Sequence, residues 1–319
     1  MSSPLPIGDI LNESFQFGLR RWPTVIRYAW APVVLSFILL GLFFASVFDF
    51  QALQQIDETE VFPGFEEILQ LPGPVIVALA IALYLIIGAL YSGIMASIFR
   101  LVALGEERPG FFQVRLDGPA WRVFWATIIM GVLSMLVWVI ATGAALAISG
   151  ISIGAYLADM GAVLSGALAA IESGSEDAFN QQVMTMTQYW KVFVLSIVVA
   201  FIPLIYLGTR LAPFLAGSAA ENRLILFGSF ALTQGRFWSV FGAMLLMGLM
   251  IFVISIMFQI VTSLFELMIG LGGSGGAFAL IAMILSVAYF GLVIFYYAVI
   301  YGVQMSLQAI IYRRLKTGE

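Results

Sequence analysis

Few side chains in this 319-residue chain are equipped for chemistry, and the missing types narrow the field at once. There is no histidine and no cysteine, which removes imidazole bases, thiolate nucleophiles, disulfides and Cys/His metal sites. Carboxylate, guanidinium, hydroxyl and amide groups remain. One carboxylate, Asp159, stands in a strongly apolar stretch, ISIGAYLADMGAVLSGALAAI. On an interfacial helix it would face water; on a re-entrant one it would line a cavity, where an intramembrane acid serves transport or proton relay. Arg27 and Lys191 lie near the ends of apolar runs and can snorkel to the interface. Gln259, Thr262, Gln304 and Gln308 lie inside such runs and suit hydrogen bonds between helices. Pro32 and Pro203 would free backbone carbonyls within helices. No Ser/Lys pair and no pair of carboxylates marks an intramembrane reaction centre. The sequence therefore assigns no catalytic, cofactor-binding or metal-ligating residue and no enzyme activity.

The elements that must position these groups follow from composition. Apolar residues make up 62% of the chain and charged ones 10%, with a mean hydropathy of +1.04. Soluble domains run at about 45–50% and about 25%. So little polar side chain cannot cover a soluble core of this size, and the solvent must be lipid. A helix needs about 20 apolar residues to cross the hydrocarbon. Six stretches reach that length, near 24–48, 75–99, 123–148, 192–209, 238–263 and 278–310. Barrel strands would be about ten residues long and alternate in polarity, a pattern absent from this sequence. Residues 1–319 read as one all-α domain, a polytopic membrane helical bundle of six transmembrane helices.

Basic residues orient the bundle. Arg20, Arg21 and Arg27 accompany the first span, and Arg100, Arg108, Arg115 and Arg122 the second connection. Arg210, Arg223 and Arg236 occupy the fourth connection, and Arg313, Arg314 and Lys316 the tail. Six crossings put thirteen of the fourteen basic residues on one side, Lys191 being the exception, for a net +6 against −10 opposite. The arginines carry the orientation, because carboxylates contribute little to it. Both termini are expected on the cytoplasmic side of the membrane. The first apolar stretch is too long for a signal-peptide core of about 7–15 residues and should stay as an anchor. A seventh crossing at 151–171 would bring Glu172, Glu176 and Asp177 inside without an arginine beside them. That segment reads instead as a helix on the outer interface or tucked against the bundle. Residues 180–190 read as a short lead-in to the fourth span.

Each odd-numbered span has a similar cytoplasmic approach. In IGDILNESFQFGLRRW, Ile7, Ile10, Leu11, Ser14, Phe15, Gly18 and Leu19 share one stripe. An amphipathic helix near 7–20 is expected along the membrane surface, turning inward at Trp22 and Pro23. Gly118, Trp121, Val123 and Phe124 precede the third span, and Gly235, Trp238, Val240 and Phe241 the fifth at identical spacing. Gly18, Trp22 and Val25 echo them one residue out of step. A further interfacial helix is expected near 221–235. The pattern predicts three units, each an interfacial elbow followed by a helical hairpin. Candidate lipid-headgroup or interface anchors are Arg20, Arg21, Trp22, Arg100, Arg115, Trp121, Arg122, Arg210, Arg223, Arg236 and Trp238. Such cations hold anionic lipid at about 1 kcal/mol each.

The segment RLAPFLAGSAAENRLILFGSFALTQGRFWSVFGAMLL, from Arg210 to Leu246, carries a longer signature. An arginine leaves a span, a proline follows, and a polar elbow leads through Ser-x-x-Leu-Thr-x-Gly-x-x-Trp into the next span; Arg210, Pro213, Ser229, Leu232, Thr233, Gly235 and Trp238 occupy those places. This resembles the bacterial membrane-domain family found alone or fused ahead of the catalytic domain in glycerophosphodiester phosphodiesterases, and its small inner-membrane relatives. The turn at Gly105 and Glu106 with Pro109 nearby looks similar too. The family's activity belongs to a soluble barrel with acidic ligands and histidines, for which this chain has neither room nor residues. The resemblance implies a standalone membrane module. The function expected is non-catalytic: organising membrane lipids, anionic ones above all, or a membrane-protein partner at the cytoplasmic leaflet, with no nucleic acid involved. The alternative is a transporter or flippase for a lipid or apolar solute. It would need a laterally open polar cavity lined by Asp159, the prolines or the glutamines.

Overall fold

The computed structural model describes residues 5–48, 71–173, 176–187, 189–271 and 276–318. These are mostly helical, with no strand among the described residues. The helices are α1 (Ile7–Val47), α2 (Gly73–Leu104), α3 (Gly118–Ile148), α4 (Ile153–Ser173) and α5 (Glu176–Thr187). They continue as α6 (Trp190–Leu211), α7 (Phe214–Glu221), α8 (Leu226–Leu232), α9 (Phe237–Leu271) and α10 (Gly276–Thr317). Six candidate spans are long and apolar enough to cross a membrane: α1, α2 from Pro74, α3, the α6–α7 stretch, α9 to Ile269 and α10 from Met283. The protein is an all-α, multi-pass membrane protein. Only 11–22% of each span's most apolar window is buried within the chain, so lipid or another protein must cover most of that surface.

Local chemistry sets the breaks. α3 stops at Gly150, whose φ of +69° is open to glycine at little cost. There the Ile151 amide donates to the Leu146 carbonyl at 3.0 Å and the Gly150 amide to Ala147 at 3.2 Å, the hydrogen-bond pattern of a Schellman cap. Two residues later the Ser152 hydroxyl accepts the Ala155 amide at 3.1 Å and opens α4. The apolar 151–171 region is therefore a helix of its own, outside the six candidate spans. Residues 180–190 are corrected: α5 folds back on α4 as a partner helix, with the Gln182 amide against Gly166, before α6 starts at Trp190.

Two compact units emerge from the contact pattern. The first comprises residues 1–33, 89–127 and 208–319. Its core gathers Ile10 of α1, Val240 and Met247 of α9, and Val299, Val303, Leu307 and Ile310 of α10. The second comprises 34–88 and 128–207, with a small core of Ala145, Leu146 and Val192 joined by Tyr156 and Tyr189.

The expected elbows take a different form. α1 runs unbroken through Pro23 and Pro32, so no separate surface helix occupies 7–20. The reason lies in its stripe: Ile10, Ser14 and Gly18 are buried against α10 rather than offered to headgroups. Before the third span, residues 105–117 contain no helix, and Trp121 sits in the first turn of α3. Of the first, third and fifth spans, only α9 has among the described residues a short helix of its own ahead of it, α8, within the 221–235 region. Glu221 itself ends α7, which closes at the left-handed Asn222 with φ 50°.

Candidate functional site: an ion-paired basic face and a polar cleft

The arginine-rich connections fold into ion pairs within the first unit. Arg21 and Arg27 both reach Glu107, at 3.5 and 2.8 Å. Arg100 grips Glu106 through two N–H groups at 2.8 and 2.7 Å and donates to the Ala219 carbonyl at 3.0 Å. Its side chain is only 17% exposed. Arg115 is 6% exposed and donates to Asp117 at 2.6 Å, while Arg108 reaches the other Asp117 oxygen at 2.6 Å. The Arg115 carbonyl lies so close to Gly93 that a Cβ there would come within 2.2 Å. Partial burial pulls the Asp117 carboxyl upward, but the hydrogen bonds and charges of Arg115 and Arg108 outweigh it and hold the group below the usual carboxylate range.

The signature segment makes a compact knot. Arg210 donates from Nη1 to the Thr233 hydroxyl at 3.4 Å and lies over the Phe237 ring at 5.5 Å. Ser229, fully buried, donates to the Arg210 carbonyl at 2.8 Å, and Thr233 donates to the Ser229 carbonyl at 3.0 Å. Gly235 supplies the positive φ of +75° that turns the chain into α9. Thus the serine, threonine, glycine and arginine of the motif fasten α6, α8 and α9 together.

Several expected anchors are therefore committed elsewhere. Arg100 and Arg115 are turned inward, a correction to their reading as headgroup ligands, because carboxylates of the same connection claim them first. Arg223 pairs with Glu221 at 2.6 Å, and Arg236 donates to the Gly318 carbonyl at 3.5 Å. Trp22 packs into the core, edge-on to Phe295 at 5.3 Å. Trp121 and Trp238 are exposed, each edge-on to the phenylalanine three residues on, at 5.3 and 5.9 Å. Arg20 and Arg122 are exposed and have no ion-pair or hydrogen-bond partner among the described residues. Asp159 accepts a hydrogen bond from Tyr189, which holds that hydroxyl above the ordinary tyrosine range. Pro203 lies inside α6 without interrupting it.

Sequence reasoning missed the acceptors. Glu13 binds both Arg313 and Arg314, and Glu221 binds Arg223, Lys316 and the Tyr312 hydroxyl. It also missed a cleft of about 630 Å³ between α9 and α10. Ser255, Gln259, Thr262 and Glu266 line one wall at intervals of four, three and four, one face of a helix. Tyr289, Tyr296, Tyr297, Tyr301 and Gln304 line the other, with Val293 and Ile300 between them. The Tyr296 hydroxyl and Ser255 hydroxyl share a 2.7 Å hydrogen bond, and Tyr296 stacks on Phe258 at 3.7 Å. Tyr289 donates to Glu266 Oε1 at 3.1 Å. The amides of Gln259 and Gln304 face the cleft with no hydrogen-bond partner among the described residues, and the Tyr301 hydroxyl is buried without one. Among the described residues these two glutamines do not bridge helices, although the sequence led us to expect that they would; the stripe spacing from Ser255 to Glu266 was the signal of a polar wall. Among the described residues no cluster of three or more acidic side chains could hold a metal.

Comparison with protein-family models, with curated proteins and with solved structures returns no match to this chain.

Proposed function

We propose that this multi-pass membrane protein is non-catalytic and holds an amphiphilic lipid in the cleft between α9 and α10, with both termini on the cytoplasmic side of a bacterial inner membrane. The observation that carries the reading is the pairing of open amides with apolar wall. Amide groups on a membrane helix are costly unless something satisfies them, and Gln259 and Gln304 have no protein partner among the described residues. Tyr289 and Gln304 lie fifteen residues apart on α10, about 22 Å of helix. A long molecule with polar linkages and a chain fits both the amides and the isoleucine and valine between them. This favours the lipid-transporter or flippase reading over a grip by arginines, whose charge is largely met by carboxylates of the same chain.

The resemblance of the Arg210–Leu246 segment to phosphodiesterase membrane domains belongs to the same proposal, as a membrane module without the catalytic barrel. A second reading is favoured by one observation. Arg20 and Arg122 have no partner among the described residues and Trp121 and Trp238 are exposed, which supports anionic-lipid contact at the cytoplasmic leaflet.

The test is lipid retention. Wild-type protein and the double variant Gln259→Leu, Gln304→Leu are purified in mild detergent and weighed by native mass spectrometry. The wild type should carry lipid adducts that the double variant loses while keeping its helicity. Equal adducts on both would refute the cleft reading.

A further inference from the structure

We infer that the α9/α10 cleft selects an amphiphile with an ammonium headgroup, in a membrane a zwitterionic phospholipid, and seats the ammonium beside Glu266 and Tyr289. This rests on the lipid-binding reading of the same cleft and adds the headgroup chemistry.

Charge is the first argument. From Phe237 to Tyr312, Glu266 is the only charged residue in 76 positions, with no lysine or arginine. An anionic headgroup in the cleft would meet a carboxylate and no counter-cation. An ammonium would meet the opposite charge, an attraction that strengthens wherever lipid rather than water surrounds the pair.

Ring chemistry is the second. The cleft presents four tyrosines and a phenylalanine, and aromatic faces attract ammonium cations, most strongly when these shed water. Tyr297 is 63% exposed and edge-on to Tyr296 at 5.3 Å. Tyr289 is tied to Glu266 by its hydroxyl, which fixes a ring beside the carboxylate. Only one Glu266 oxygen is used; Oε2 has no partner among the described residues.

Polarity along the cleft is the third. Glu266 and Tyr289 occupy one end, and Tyr301 and Gln304 lie three to four turns away on α10. The ammonium belongs at the carboxylate end. The buried Tyr301 hydroxyl and the Gln304 amide offer donors to ester or hydroxyl oxygens further along.

The experiment uses full-length protein delipidated in neutral detergent and supplied with phosphatidylethanolamine, phosphatidylglycerol or diacylglycerol of matched chains, read by native mass spectrometry. Wild type should retain phosphatidylethanolamine about tenfold over phosphatidylglycerol. Glu266→Gln should erase that preference by lowering phosphatidylethanolamine retention to the phosphatidylglycerol level. In unmutated protein, dodecyltrimethylammonium should displace bound phosphatidylethanolamine and dodecyl maltoside at the same concentration should not. Equal retention of the two phospholipids, a preference for phosphatidylglycerol, or an unaltered preference in Glu266→Gln each overturns the headgroup assignment. In those cases loss of adducts in the Gln259→Leu, Gln304→Leu variant would still uphold the cleft as a lipid site. Wild type that retains none of the three lipids overturns both.

Discussion

The Ser306 hydroxyl donates to the Ser14 carbonyl at 3.3 Å, joining residues 292 positions apart. Both serines are fully buried. Around them α1 and α10 approach through glycine: a Cβ on Gly302 would lie 3.4 Å from the Gly18 Cα. Small residues let helix backbones come close, as in membrane helix pairs generally. The stripe that reads as membrane-surface helix is in fact the seam between the first and last helices.

That seam makes Gly18 intolerant of a side chain. A Cβ there would come within 2.4 Å of Val303 Cγ2 and 2.8 Å of the Val299 carbonyl oxygen. Gly18→Leu should destabilise the protein by about 1–3 kcal/mol, as overpacking does. Gly8→Leu, where nothing lies within 4 Å, is the control. Thermal unfolding in detergent followed by size-exclusion chromatography should show a lowered Tm for the first and little change for the second.

Asp117 should make the loop between α2 and α3 acid-sensitive. Its carboxyl is held below the usual range by Arg115 and Arg108 despite partial burial. Folding thus favours the ionised form, and the stabilisation is present above the ordinary carboxylate value of about 3.9 and fades as pH falls through the folded value. Asp117→Asn should be less stable than wild type at neutral pH, because Arg115 is then buried without its carboxylate. The difference should shrink below about pH 4. Equal Tm values for the two proteins at neutral pH would contradict this account.

Arg20 and Arg122 should separate lipid contact from structure. Replacing both by glutamine should weaken binding to anionic nanodisc lipid by about 1 kcal/mol per residue and leave Tm unchanged. Arg100→Gln should do the reverse, lowering Tm while sparing lipid binding, because Arg100 holds Glu106 and the Ala219 carbonyl. Scintillation or fluorescence binding to mixed-lipid vesicles gives the first readout and thermal unfolding the second.

The class of fold was legible because length and apolarity are local properties. Six stretches of adequate length became six long helices, and Gly150 ended the third where a break was expected. The elbow at Trp22 was not legible, since an amphipathic stripe is the same whether a headgroup or Val303 covers it; only the distant partner decides. The fate of Arg100 and Arg115 was hidden for a related reason. Their count sets membrane orientation, but pairing with Glu106 and Asp117 depends on the turn at Gly105, whose φ is +71°. The cleft was half legible. The stripe from Ser255 to Glu266 has helical spacing, yet nothing in α9 alone announces that tyrosines of α10 face it.

The clamp on Glu13 has a consequence in time. Its partners Arg313 and Arg314 lie 300 and 301 residues further on, and a ribosome adds about 5–20 residues each second. For some 15–60 s after Glu13 emerges, the first helix stands in the cell without the neighbour that buries Ile10 and Gly18. Its nascent form must be sheltered by the insertion machinery or by lipid until α10 is made. The grip of Glu13 on the two arginines is thus among the last contacts of biogenesis, and a chain cut short before Arg313 would never acquire it.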